Sequence, residues 1–296
     1  MSNNQNFEIT VSNVCNLNCK HCGMSNIINN QDNKKINYDL LIKSLLIENN
    51  KNPISEIYLW GGEPLLGDLD KIIELLDNFP NTKFKITTNL CVPLNDKRIE
   101  ILKKCYLVST SFDPKIRFGN IKNLNLWYHN CKKIKKIIKN FMCVSTITDY
   151  IVQIKPNKLI KLFDDIGFDY FMFSPLVLSG ALIDNKYILP SVQDYNKFIN
   201  EILKIKSKKN STILKYINHG SLKCFNSPNS VISNNGNFIT CTNNPKCELI
   251  DQNCYICDNF KICGGKSPCI EKCLFSKEVY EEAMRSYNDV FKETIE

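Results

Sequence analysis

The chain has 296 residues, a formal net charge of +8 and 43% hydrophobic residues, enough for one large domain or a large and a small one, each with a packed core. It contains no apolar run of the roughly 18 residues that a spanning helix needs, and its polar opening, MSNNQNFE, lacks the apolar stretch of a signal peptide. A cytoplasmic protein without a membrane span is expected.

Strand-like and helix-like patterns alternate from the start. Phe7–Ser12 alternates apolar and polar residues as a strand does, and residues 38–48 carry apolar positions at helical spacing. The pattern then predicts strand Glu56–Trp60, helix Asp68–Leu76, strand Lys83–Thr88, helix Asp96–Leu102, strand Tyr106–Ser111 and helix Cys131–Ile138. Strand Phe141–Thr148, helix Asn157–Ile166 and strand Tyr170–Ser174 complete the series. Six βα units in a row with long connections argue for a parallel sheet with helices outside, an α/β fold of the partial (β/α)6 TIM-like kind. Beyond Pro190 a helix is expected over Val192–Lys206. Residues 222–275 are rich in Cys, Asn, Gly and Pro with little periodicity, too few apolar side chains to build a core without staples. Ser276–Phe291 reads as a closing amphipathic helix. The expected organisation is a core over 1–190, a connecting helix within 191–220, a small Cys-rich domain over 221–275 and a C-terminal helix over 276–296.

Fifteen cysteines dominate the composition. A cytosolic chain cannot keep many disulfides, and an odd count argues against a complete set, so metal ligation is the better reading. The excess charge is concentrated: residues 103–161 hold thirteen Lys or Arg against Asp113 and Asp149. That stretch is either a solvated lysine-rich face or a surface for an acidic peptide. No aromatic-interleaved basic motif points to nucleic acid.

Cys15, Cys19 and Cys22 form C-x3-C-x2-C just after the first strand, where loops of a parallel barrel open at its C-terminal mouth. Three thiolates on a four-iron cubane leave one iron open; a partial zinc site with a fourth ligand elsewhere is the alternative. Gly61-Gly62-Glu63-Pro64 follows the second strand. Glycines let backbone approach a ligand closely, and a carboxylate accepts from an ammonium group.

Together the triplet and the GGEP segment resemble the radical S-adenosylmethionine (SAM) superfamily. The resemblance implies a [4Fe–4S] cluster on Cys15, Cys19 and Cys22 and SAM chelated to the open iron. His21 stands where the family usually has an aromatic residue against the adenine. Gly61, Gly62 and Glu63 would contact the SAM amino group. Thr88 and Asn89 end the third strand, Ser109, Ser111 and Asp113 lie at the fourth, and Ser145 is on the fifth; all are candidate polar contacts to SAM. Ser111-Phe112-Asp113-Pro114 departs from the Asp-Gly pair common at that turn.

The later cysteines, Cys224 and Cys241 flanking Gly236, then Cys254, Cys257, Cys263, Cys269 and Cys273, resemble the SPASM extension of this superfamily, with departures in spacing after Cys263. Two auxiliary [4Fe–4S] clusters are implied. One would take Cys254, Cys257, Cys263 and Cys273, and the other Cys224, Cys241 and Cys269, with Cys247 or an open iron completing it. One or two zinc sites are the alternative. Cys105, Cys131 and Cys143 read as buried small residues. Cys91, expected at the barrel mouth, is a candidate hydrogen-atom donor. Relatives with this extension mostly modify peptides or proteins, so maturation of a peptide or protein by crosslinking, thioether formation, epimerisation or oxidation is the expected function. A small-molecule dehydrogenase is the second reading, a non-catalytic iron or zinc binder a third, and RNA modification the remainder. An electron donor such as flavodoxin or ferredoxin is implied. With fourteen residues before Cys15, substrate recognition is expected to fall to the barrel, the extension or a separate peptide-recognition protein.

Overall fold

The computed structural model of the chain describes residues 5–28, 35–174, 176, 180–205, 230–232 and 238–239. Six strands run parallel: β1 (Gln5–Ser12), β2 (Ile54–Gly61), β3 (Lys83–Thr88), β4 (Leu107–Phe112), β5 (Asn140–Thr146) and β6 (Tyr170–Ser174). They neighbour one another in chain order, and β1 carries two more, β7 (Ser230–Ile232) and β8 (Phe238–Ile239), giving the order β6-β5-β4-β3-β2-β1-β7-β8. This is the expected α/β architecture, a parallel six-strand sheet of the partial TIM-like type.

Strand alternation sorts the residues onto two faces. Phe7 and Ile9 pair with Ile57 and Leu59, which pair with Phe84 and Ile86, and these lead on to Val108, Phe141 and Phe171. All of them are buried in one apolar cluster with helix residues such as Leu41, Leu45, Ile72, Ile101, Trp127 and Phe163. Aromatic rings fill the β4–β6 side: Trp127 lies 5.1 Å from Phe112, and Phe141 lies 4.4 Å from Phe168. The Trp127 indole donates to Thr110 Oγ1 at 3.0 Å, so even this buried donor is satisfied. The other face is polar. It carries Glu8, Tyr58, the Lys85–Glu56 ion pair (2.6 Å), Thr87, Ser109 and Ser111.

Side-chain caps start the helices where the sequence supplies Asn, Asp or Ser. Asn37 caps α2 (Tyr38–Lys51), Asp68 caps α3 (Leu69–Asn78), Asn95 caps α4 (Asp96–Lys104), Asn120 caps α5 (Ile121–Lys135) and Ser191 caps α7 (Val192–Leu203). α6 (Pro156–Ile166) instead uses Pro156 in its first turn and ends on Gly167 at φ +93°. A four-residue helix, α1 (Ser25–Ile28), follows the first cysteine loop.

Two expectations change. The fourth long helix begins at Ile121 rather than Cys131 and ends at Lys135 rather than Ile138. Its inward stripe, Leu124, Trp127, Cys131 and Ile134, is spaced correctly, but Asn, His and Tyr between those positions mask the period when the first turns are read alone. The segment 221–275 is not wholly irregular, since it contains β7 and β8. β7 joins β1 and β8 joins β7 through backbone ladders, which need no apolar periodicity to form. The eight cysteines from Cys224 to Cys273 and the expected helix 276–291 lie outside the described residues.

Candidate functional site

The C-terminal ends of β1, β2 and β3 meet at one point. β1 runs into the loop bearing Cys15, Cys19 and Cys22, β2 into Gly61-Gly62-Glu63, and β3 into Thr88-Asn89. The first two are bound edge to edge: Gly62 N donates to Ser12 O at 2.7 Å and Glu63 N to Val14 O at 2.8 Å. Gly61 sits at φ +138°, and a Cβ on it would stand 2.2 Å from Ser12 O. A Cβ on Gly62 would stand 2.4 Å from Val14 O and 3.3 Å from the Cys15 Cβ. Only glycine allows the second strand end to lie this close against the cysteine loop.

Glu63 ties the second strand end to the third. Its carboxylate is fully buried, and Oε1 accepts from Thr88 Oγ1 (2.6 Å) and Leu65 N (3.1 Å) while Oε2 accepts from Asn89 N (2.6 Å). Burial raises its pKa, opposed by those hydrogen bonds. The carboxylate thus accepts from both the second and the third strand ends. What the segment offers is its half-buried glycine backbone.

Asn89 links the third end back to the first. Its Nδ2 donates to Asn16 Oδ1 at 2.9 Å and lies 3.8 Å from Cys15 Sγ, and its Oδ1 accepts from Cys91 N at 2.7 Å. Asn16 Nδ2 in turn donates to Cys91 O at 2.7 Å. Asn16 is a residue the sequence reading passed over; its place between the first two cysteines was the available signal. The tight turn puts Leu90 at φ +53°. It is held from α5 by Asn130, whose buried Nδ2 donates to Leu90 O and Val92 O, both at 2.8 Å.

The three thiols act on one another: burial pushes Cys15 up to about 11, with charge repulsion from Glu63, Cys19 and Cys22 adding to it. Burial also raises Cys22. Leu17 N donates to Cys15 Sγ at 3.4 Å, which stabilises the thiolate. Cys19 Sγ donates to Arg117 O at 3.9 Å. Cys22 O accepts from Ala181 N at 2.9 Å, and Gly180, at φ +54°, leaves a hypothetical Cβ only 2.3 Å from that carbonyl. Among the described residues no three His, Cys, Asp or Glu side chains converge as ligands of a single ion. Three sulfurs on one loop, with N–H groups aimed at Cys15, suit the separate irons of a cluster.

His21 is largely enclosed, and its Nε2 lies 3.2 Å from Arg117 Nη2. Burial, then Arg117, lowers it to about 3, so its imidazole is neutral and available for apolar or stacking contact. Arg117, also unforeseen, comes from the loop after β4. Ser111 lies on the polar face at the β4 end. Asp113 does not face the site: it is fully buried, Oδ1 accepts from Lys115 N (3.0 Å) and Ile116 N (2.7 Å), and Oδ2 accepts from Thr148 Oγ1 (2.9 Å). It shapes the turn that delivers Arg117. Ser145 is on the opposite face altogether. It pairs with Phe112 and Phe173, both in the apolar core, and donates to Phe112 O at 3.1 Å. A one-residue error in reading strand phase is enough to cause this miss. Cys91 is likewise turned inward, 5% exposed, its thiol donating to Asn123 O at 3.6 Å and pushed up to about 12 by burial first. Cys105, Cys131 and Cys143 are buried, as expected.

On the polar face, Tyr58 Oη shares a hydrogen with Thr87 Oγ1, which lies 2.5 Å from Ser109 Oγ, so a hydroxyl chain crosses three strands. The Trp60 indole N–H is enclosed without a partner.

Residues 9–151 match the family model of the radical SAM superfamily. An uncharacterized protein of Methanocaldococcus jannaschii is 25% identical over 238 residues, covering 72% of this chain and 79% of that protein. Among solved structures, native anSMEcpe with bound AdoMet superposes with a TM-score of 0.68 at 18% identity, over 98% of each chain. Native anSMEcpe with bound AdoMet and the Cp18Cys peptide gives 0.66 at 17% identity, again over 98% of each. These similarities show a shared fold. Among the described residues no helix is long and apolar enough to cross a membrane.

Proposed function

We propose, from a chain whose residues 9–151 match the radical SAM superfamily model, that it is a radical SAM enzyme acting on a peptide or protein residue. The observation that carries the reading is the convergence of three strand ends on the Cys15/Cys19/Cys22 loop, clasped by Gly61 and Gly62 on one side and by Asn16 and Asn89 on the other. When bound, the cluster and SAM supply one electron and a 5′-deoxyadenosyl radical that removes a hydrogen atom from substrate, with methionine released. The chain's own residues hold and orient these groups. Cys15, Cys19 and Cys22 ligate three irons, and Asn89 and Leu17 direct N–H groups to the Cys15 sulfur. The glycine backbone of β2 offers close approach to the SAM amino group, and neutral His21 offers a flat surface to the adenine. Ser111 and the Trp60 N–H, on the polar face, are placed to orient SAM or substrate.

A peptide substrate is supported by the similarity to anSMEcpe, whose structures include bound peptides, and by the SPASM-like cysteine spacing. Two auxiliary clusters on the cysteines from Cys224 to Cys273 belong to the same reading.

The test is 5′-deoxyadenosine release by the full chain, reconstituted anaerobically with iron and sulfide and given SAM and dithionite. Release by the native protein and none from Cys15→Ala/Cys19→Ala/Cys22→Ala is expected. A fully loaded native protein that neither releases 5′-deoxyadenosine nor shows a SAM-induced change in its cluster EPR signal overturns the assignment. Iron content of about twelve per chain is expected for three clusters, against about eight for two.

A further inference from the structure

A groove of about 510 Å³ opens beside the cysteine loop. One wall is the loop itself, Asn16 to Asn18 with Lys20, and the facing wall is the 115–120 segment between β4 and α5. Tyr187 closes one end. Lys20, Lys115 and Arg117 line it against a single lining carboxylate, Asp149. Exposed Lys122 stands just beyond, one residue from the lining Asn123. Exposed apolar surface lies at hand: Tyr187, which lines the groove, and Ile121, in sequence between the lining Asn120 and Asn123, are each 68% exposed, the two most exposed large hydrophobic side chains among the described residues. Lys115 Nζ lies 5.4 Å from the centre of the Tyr150 ring, which holds it at the surface. The groove's wall connects directly to the cysteines, because Cys19 Sγ donates to Arg117 O and Arg117 Nη2 meets His21 Nε2.

We infer that this groove is the docking surface for an acidic one-electron carrier protein of the flavodoxin or ferredoxin type. The inference rests on the radical SAM reading. That chemistry needs one electron delivered from outside for each cleavage: the carrier is oxidised by one electron, the cluster is reduced by one, and no bond is made or broken in the step. Electron transfer falls off steeply with distance, so a carrier must sit against the loop that holds the cluster. This groove shares that loop as a wall. Three cationic side chains around it attract and orient an acidic partner, and an exposed isoleucine and tyrosine supply the desolvated contacts of a small transient interface. A second copy of this basic chain is a poor occupant for the same surface.

The test uses the reconstituted full chain, a purified flavodoxin as probe, and two variants that leave the cysteine loop untouched, Lys115→Glu/Lys122→Glu and Tyr187→Ala. Flavodoxin binding is measured directly by calorimetry, and 5′-deoxyadenosine release is measured with reduced flavodoxin and separately with dithionite. The charge reversal is expected to raise the flavodoxin Kd by about tenfold or more at low salt, and flavodoxin-supported release should fall in step. Dithionite-supported release should stay at the native level, since a small reductant needs no docking surface. Added salt should weaken native binding more than variant binding. Unchanged flavodoxin binding in both variants overturns the inference. So does an equal loss with both reductants, which would mark the groove as a substrate surface. A native protein that with dithionite shows neither 5′-deoxyadenosine release nor a SAM-induced change in its cluster EPR signal defeats the radical SAM reading instead, and the binding measurement then decides the docking surface alone.

Discussion

Asn89 carries three duties in one side chain: it faces the Cys15 sulfur, holds Asn16 and accepts from the Cys91 amide. Removing it leaves buried partners unsatisfied, so Asn89→Ala is expected to cost about 1–3 kcal/mol of stability, read from urea midpoints. It also removes an N–H from the cluster's environment, and such groups raise a cluster's potential. A more negative midpoint in an EPR redox titration is expected, and an unchanged potential would show that this amide does not reach the sulfur. Asp113 gives a pH test. Burial is the largest influence on it and lifts its pKa above 3.8, against its hydrogen bonds from Ile116, Thr148 and Lys115. The folded state therefore keeps this proton to higher pH than the unfolded chain does. Its contribution to stability is greatest below about 3.8 and declines as pH rises through the raised value. Asp113→Asn should flatten that part of the stability–pH curve while preserving the turn, and a slope identical to the native one would remove Asp113 as its source.

At the scale of elements, the contacts between strand ends matter more than any single ligand. Gly62→Ala puts a methyl 2.4 Å from the Val14 carbonyl, a backbone atom that cannot swing aside. Since the apolar core on the helix side is untouched, the far-ultraviolet circular dichroism should stay native while iron uptake at the triplet falls severalfold. Retained iron with retained SAM-dependent EPR change would show that the loop adapts. α5 supports the same region from behind, with Trp127 packed under β4 and Asn130 holding the turn at Leu90. This helix was half hidden in the sequence because its polar residues fall between inward positions. The other long helices were legible, since a cap residue, or for α6 Pro156 in its first turn, leads into an apolar stripe of regular period.

For the molecule as a whole, β7 extends the sheet past β1, so a segment from the cysteine-rich region is hydrogen-bonded to the first strand: Phe7, Glu8 and Ile9 pair with Ser230, Val231 and Ile232. Val231→Pro removes an amide from that ladder. Hydrogen exchange at residues 7–9 should quicken while that of β5 and β6, at the far side of the sheet, stays slow. Unchanged protection at residues 7–9 would mean that the β7 pairing does not support β1.

The sequence alone determined the repeating βα order, the cysteine triplet and the glycine segment one unit later. Those rest on local chemistry: alternation, capping and the spacing of thiols along one loop. It also identified Asn89 as part of the site. Tertiary structure alone decided what the buried polar groups do. Glu63 and Asp113 read as ligand contacts because a carboxylate at a strand end usually meets something polar; each accepts from backbone N–H groups of its own loop and from a threonine hydroxyl of another, and Glu63 also from Asn89 N. The face on which Ser145 lies and the burial of Cys91 depend on register with neighbouring strands and on a helix many residues away. Arg117 became visible only when loops distant in sequence met, since it carries no local pattern that separates it from an ordinary polar residue; Asn16 stood between the first two cysteines, but its link to Asn89 needed the third strand end.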